Sequence, residues 1–207
     1  METQPLDILI YGDTALSLSS VDIVNFDDTL HKLLRDMHNT CNYYKAVGLS
    51  APQVSKNLNV IVIHYNNTEY ELINPKIIFS SKSVCSMSEG CLSVPNYFEH
   101  IDRPCNIKVE YKDRLGNKLG LDIEDSSLSH IIQHEIDHLN GVLFVDKLSR
   151  LKKTLFLNWY NKRVKMFNRI QASVKKNMTR PAKKKQELNG LYSNQNKTVK
   201  IDMEQFE

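Results

Sequence analysis

Long apolar runs are missing from this 207-residue chain. No segment approaches the roughly 18 residues that a membrane-spanning helix requires, and Met1 to Asp7 lack the basic and apolar stretches of a secretion signal. The expectation is therefore a cytoplasmic protein with no membrane partner. Cysteine is also scarce: Cys41, Cys85, Cys91 and Cys105 form no CxxC pair. So few in a mid-sized chain read as reduced thiols rather than a disulfide framework, and all but Cys91 as small buried hydrophobes. No internal repeat is detectable. With 41% hydrophobic and 25% charged residues, the chain suffices for one ordinary core and a tail. Acidic residues are nearly absent from one part only. Residues 147–200 hold 16 Lys and Arg against one acid, whereas residues 1–146 hold 11 against 20. The overall net charge of +3 thus conceals a strong dipole.

Gln133-His134-Glu135-Ile136-Asp137-His138 carries the chemistry. Positions i and i+4 of a helix return to nearly the same face, about 6 Å apart along the axis, so His134 and His138 can bind one metal ion. Glu135 projects beside them, where a carboxylate serves as a general base without being a ligand. Leu128, Ile131, Ile132, Ile136 and Leu139 surround the helix with apolar residues, which predicts burial. Asp125, Ser126 or Ser127 can cap its start, and Asn140-Gly141 can end it.

A tetrahedral catalytic site needs a third protein ligand and one open position. Glu89-Gly90-Cys91-Leu92-Ser93-Val94-Pro95 is the best source of that ligand. Together with Gly48-Leu49-Ser50-Ala51-Pro52-Gln53 and the helix motif, it repeats, in the same order, the three signature motifs of bacterial peptide deformylases. The chain resembles that family from about Leu9 to Leu148.

The resemblance implies a metal held by Cys91, His134 and His138, normally Fe2+, although Zn2+, Ni2+ or Co2+ suit the same ligands. It implies hydrolysis of the N-formyl group from formyl-methionyl nascent peptides, with release of formate. Glu135 would act as general base and then general acid. The Gln53 amide and the Leu92 backbone N–H would face the formyl oxygen. Val47 and Gly48 would pair with extended substrate, and His130 and Ile131 would line the methionine pocket. Arg103 would pair with Glu89 and hold the cysteine loop in place. Some positions depart from the family pattern: Ala46 and Asn96 for the common glycines, Ser50 for alanine, Gly12 for proline, Phe98 and Glu99 for a basic residue, and His130 for an aliphatic one. These bear on peptide recognition rather than on the reaction.

Coarse periodicity gives an α+β expectation, with antiparallel sheets and hairpins around a central buried HExxH helix and a C-terminal helix. Leu30, Leu33, Leu34, Met37, Cys41 and Tyr44 keep a helical period behind Asp27-Asp28. Strands are expected at Leu58–Tyr65, Glu69–Leu72, Lys76–Phe79, Ile107–Lys112 and Lys118–Ile123. Asn66-Asn67 and Asp113–Asn117 supply the hairpin turns. Residues 1–148 would be the catalytic domain, 149–174 a basic amphipathic helix carrying Leu151, Leu155, Trp159, Met166 and Ile170, and 175–207 a disordered basic tail. That extension suits contact with ribosomal RNA. No oligomer is required. A metallopeptidase or a non-enzymatic nucleic-acid binder would be the competing readings; neither accounts for the motifs at Gly48–Gln53 and Glu89–Ser93.

Overall fold

The computed structural model describes residues 4–178. Helix α1 (Asp28–Tyr44) starts where the Asp27 carboxylate accepts hydrogen bonds from Thr29 N and Leu30 N, and it stops at Lys45 in the left-handed region. Leu30, Leu34, Met37 and Cys41 form its buried stripe, the i, i+4, i+7 spacing of one helix face. Strands β1 (Gly48–Ser50), β2 (Val60–Tyr65), β3 (Thr68–Ser80), β4 (Val84–Cys91), β5 (Val94–Pro104), β6 (Ile107–Lys112) and β7 (Lys118–Ile123) precede helix α2 (Ser126–Leu139). Helix α3 (Arg150–Met178) follows. This is the expected α+β arrangement.

Five strands make one antiparallel sheet in the order β1-β2-β3-β6-β7, and β4 and β5 make a separate hairpin. Asn66 and Asn67 both have positive φ, as the tight turn between β2 and β3 demands. Asp113 shapes the β6–β7 turn by accepting from Leu115 N and Asn117 N. One core group joins α1 to β1 and β2. A second joins the sheet to α2 through Ile61, Ile63, Leu72, Val109, Ile132 and Ile136.

Three features differ from the sequence expectation. First, β3 runs through Pro75 as a single strand; the break expected there survives only as register shifts at Ile73/Lys76 and Ile77/Phe79. Second, Val84–Cys91 and Val94–Pro104 are strands although no strand signal was read there. Third, Cys85 and Cys105 are not separate thiols but a disulfide, with Cα atoms 5.1 Å apart. The hairpin explains the bridge: Cys85 pairs with Arg103, and Cys105 N donates to Ser83 O, so the register sets the two cysteines side by side. Cys41 is a buried free thiol, as expected.

The described residues fall into two units that divide after Lys153. Within the second, Phe156 rests 6.0 Å from Trp159, and Arg163 lies over the Trp159 ring at 4.5 Å. Leu155 and Met166 are exposed, so the apolar residues of this stretch are not simply one covered face. The tail expected from residue 175 lies, beyond Met178, outside the described residues.

Candidate metal centre

Helix α2 is buried on nearly every side; His130, Gln133, His134, Glu135 and His138 are all enclosed. Asp125 caps it through Ser127 N and Leu128 N. Its C-terminal turn passes to Gly141, with φ of 70°, where a Cβ would lie 2.6 Å from Ser17 O. Only glycine fits there without displacing backbone.

Cys91 ends β4 and leads into the tight turn that Cys91 and Val94 close by pairing. Its Sγ lies 3.2 Å from His138 Nε2. The donor atoms of Cys91, His134 and His138 all lie within 4.8 Å of one another. Bonds of about 2.1 Å to nitrogen and 2.3 Å to sulfur put tetrahedral donor pairs roughly 3.4–3.6 Å apart, so this set fits a divalent transition ion. One potential thiolate and two imidazoles are also the right chemistry for such an ion.

A charge clamp holds the cluster in place. Arg103 donates from Nε to Glu89 Oε1 at 2.5 Å and from a terminal nitrogen to Glu89 Oε2 at 2.9 Å. Its other terminal nitrogen reaches Asp137 Oδ2 at 2.6 Å. Glu89 Oε2 is 2.8 Å from His134 Nδ1, which leaves Nε2 for an ion. A carboxylate behind a ligand imidazole fixes its tautomer and orientation. Burial opposes ionisation of Glu89, but the bonds from Arg103 and His134 prevail and hold its pKa down to about 2. Burial likewise opposes charge on His134, yet its bonds to Cys91 and Glu89 raise it to about 10. His138 is depressed far below the usual range by burial and by His134. Protons and a metal therefore compete at His134.

Gln53 sits on the turn Ala51–Val54. Its Oε1 accepts from Ser50 N at 3.0 Å and Ser50 Oγ at 2.9 Å. Nε2 is thereby aimed at Cys91 Sγ and Ser93 Oγ, at 3.3 and 3.2 Å. The Ser50 departure from alanine thus places a hydroxyl inside the site. Glu135 is 4% exposed, and among the described residues its Oε2 has no hydrogen-bond partner. Burial, partly countered by His134, raises its pKa to about 7. Gly48 lies directly against it: a Cβ there would fall 2.6 Å from Glu135 Oε1.

The remaining predicted residues are placed as follows. Val47 is 55% exposed, and its carbonyl accepts from His64 N at 2.8 Å. Leu92 follows Cys91 in the turn and packs against the α1 core group. His130 is enclosed, with Nε2 on Ile101 O at 3.0 Å and Nδ1 lacking a partner. Ile131 packs beside the α2 core group. Sequence reasoning assigned no part to Ser50, Ser93 or Asp137. Asp137 was detectable as the acid between two ligands. It also missed that Leu9 N and Tyr11 N bind Gln53 O and Ser93 O, stitching both site turns to the N-terminal segment.

A model of the polypeptide deformylase family matches residues 5–154. The chain belongs to the peptide deformylase family. A peptide deformylase of Prochlorococcus marinus (strain NATL1A) is 42% identical over 163 residues, 75% of this chain and 80% of its own. One from Helicobacter pylori (strain P12) is 41% identical over 159 residues, 73% and 90% of the two chains. The crystal structure of the Ehrlichia chaffeensis peptide deformylase in complex with actinonin matches with a TM-score of 0.71 at 35% identity, covering 78% of this chain and 98% of that one. This deformylase is accordingly a metal-dependent hydrolase that removes the N-formyl group from formyl-methionyl nascent peptides. The metallopeptidase and binding-protein alternatives fall away. No helix among the described residues is long and apolar enough to cross a membrane.

Proposed function

We propose that Cys91, His134 and His138 hold one divalent ion, Fe2+ in the cell, and that Glu135 moves the proton in deformylation. The observation that carries this reading is the enclosed Cys91–His134–His138 cluster, with the unpaired Glu135 oxygen on the same helix. An ion held there supplies Lewis acidity, which lowers the pKa of water and polarises a carbonyl. Glu135, buried and raised to about 7, takes a proton from the attacking water and returns it to the departing amine. Water adds to the formyl carbon, the C–N bond breaks, and formate and a free amino terminus result.

Oxyanion charge is met by a Gln53 N–H, released from its bond to Cys91 or Ser93, and by the Leu92 backbone N–H. Ser50 keeps the Gln53 amide oriented meanwhile. Among the described residues strand β1 has only β2 as a neighbour in the sheet, so the segment of Val47 and Gly48 offers an open edge for an extended peptide. His130 and Ile131 shape the methionine pocket, and the Glu89–Arg103 pair positions His134 and the cysteine loop. All these groups come from one chain, so a monomer suffices for catalysis.

The test is formate release from formyl-Met-Ala-Ser by protein purified without oxygen and loaded with Fe2+, beside Glu135→Ala at equal metal content. A loss of at least about 10²-fold with metal retained is the expected result for a general acid/base; a fully active variant refutes the role. Metal analysis of the anaerobically purified protein decides between Fe2+ and Zn2+, Ni2+ or Co2+. A nascent-chain substrate puts the enzyme's work beside the ribosome in the cytoplasm, where a bridge such as Cys85–Cys105 is uncommon, and its basic extension contacts ribosomal RNA. That contact is supported by the charge of residues 147–200 and by exposed Lys162, Arg163, Lys165 and Arg169 on α3. Ribosome co-sedimentation should fall steeply with salt and weaken when these four become glutamine. Insensitivity to both rejects it.

A further inference from the structure

A second cluster with ligand chemistry lies outside the catalytic centre, where α1 meets β2 and β3. We propose that His38, His64 and Glu69 form a second divalent-metal site, suited to Zn2+ or a neighbouring first-row ion. His38 Nδ1 lies 2.7 Å from His64 Nε2. Glu69 straddles the pair, with Oε2 3.8 Å from His38 Nδ1 and Oε1 3.7 Å from His64 Nε2. Donor pairs around an ion with bonds of about 2.1 Å are separated by roughly 3.0 Å in octahedral and 3.4 Å in tetrahedral geometry. The three observed separations bracket those values. Widening the imidazole pair by less than about 1 Å admits an ion, and Glu69, with a side chain 62% exposed, is free to close on it.

The surroundings are built as a ligand cage is built. His38 Nε2 is engaged by Glu71 Oε1 at 3.1 Å, so Nδ1 is the nitrogen presented to the cluster. Arg114 Nε in turn donates to Glu71 Oε2 at 2.8 Å, and a second guanidinium nitrogen bonds Oε1. The series Arg114–Glu71–His38 reproduces the series Arg103–Glu89–His134 of the catalytic centre. Both are an arginine fixing a carboxylate that fixes an imidazole. Closeness of donors is also common to the two, since Cys91 Sγ and His138 Nε2 are only 3.2 Å apart.

Two imidazole nitrogens facing each other at 2.7 Å need something between them. One proton satisfies that pair but leaves Glu69 outside the bond. A cation with an open fourth position serves all three groups, and solvent reaches it past Glu69. Occupancy would tie α1 to β2 and β3 next to Val47, whose carbonyl His64 N already binds.

Titration of the full-length protein with Co2+ tests the site. The first equivalent, bound with Cys91, brings a thiolate-to-metal charge-transfer band; a second should add ligand-field absorption without enlarging that band. His64→Asn and Glu69→Gln should each weaken the second equivalent by at least about 10-fold. Glu69→Gln changes an exposed side chain, so an intact charge-transfer band and melting temperature show that its loss is not unfolding. One equivalent in the wild type overturns the proposal, leaving a proton shared between the imidazoles. A second equivalent bound equally well by both variants also overturns it, because the ion then sits elsewhere.

Discussion

Gly48→Ala tests how closely Glu135 must be placed. The added Cβ would meet Glu135 Oε1 at 2.6 Å and Cδ and Cγ at 3.0 Å each. Ordinary contact begins near 3.4 Å, so the carboxylate must retreat by about 0.8 Å. Glu135 is enclosed and has little room in which to turn. A misplacement of about 1 Å can cost roughly 10²-fold in rate. Gly48→Ala is therefore expected to lower kcat for formyl-Met-Ala-Ser by between about 10- and 100-fold, with metal content unchanged. KM should move less, because the β1 backbone is retained. A double-mutant cycle sharpens the test. Glu135→Asp draws the carboxylate back by one methylene, so adding Gly48→Ala to it should cost far less than adding it to wild type. Formate release within threefold of wild type in Gly48→Ala, or strict additivity in the cycle, refutes the steric reasoning.

Ser50→Ala removes the 2.9 Å hydroxyl bond to Gln53 Oε1 but keeps the backbone bond. At about 1 kcal/mol for one such bond, kcat should fall roughly fivefold with metal content unchanged, as measured by steady-state formate release. Glu89 has its pKa lowered to about 2 from 4.5, so its contribution is complete above pH 4.5 and is lost as pH falls toward 2. Urea unfolding across that range should show stability rising with pH, and Glu89→Gln should flatten the rise. Replacing Cys85 and Cys105 by serine opens a loop of separation 20. Loop entropy sets a ceiling of about 3 kcal/mol on the loss, and the pre-paired hairpin should keep it lower, as a thermal melt would register.

The helix elements were the legible part of the fold because their signals are local. Asp27 and Asp125 cap α1 and α2, and Lys45 and Asn140 follow their last residues. Strands β6 and β7 were found at their full extents for the same reason, with a turn-forming Asp113 between them. The β4–β5 hairpin was missed although its burial alternates: the inward face of β4 mixes Cys85 and Met87 with the charged Glu89, and Gly90, Pro95 and Asn96 are residue types that strands disfavour. Its disulfide was hidden with it, since only pairing register brings Cys85 and Cys105 together. That Cys91, His134 and His138 come together was readable from motif spacing and family resemblance. The Ser50–Gln53 bond also had a signal, since Ser-x-x-Gln with Pro52 inside the turn is the pattern of a capping box, but a single short turn carries no apolar period to draw notice to it. His38, His64 and Glu69 are likewise scattered over a helix and two strands, and no short pattern joins them.

The clamp of Arg103, Glu89, Asp137 and His134 is made wholly of protein atoms. It ties Glu89 of β4 and Arg103 of β5 to His134 and Asp137 of α2. Assembly of the cage is thereby uncoupled from loading, in contrast to small zinc modules that collapse when stripped. Such a vessel can exchange its ion without rebuilding the polypeptide. Chelation should therefore silence formate release while the architecture stands, and resupplying a divalent ion should restore it.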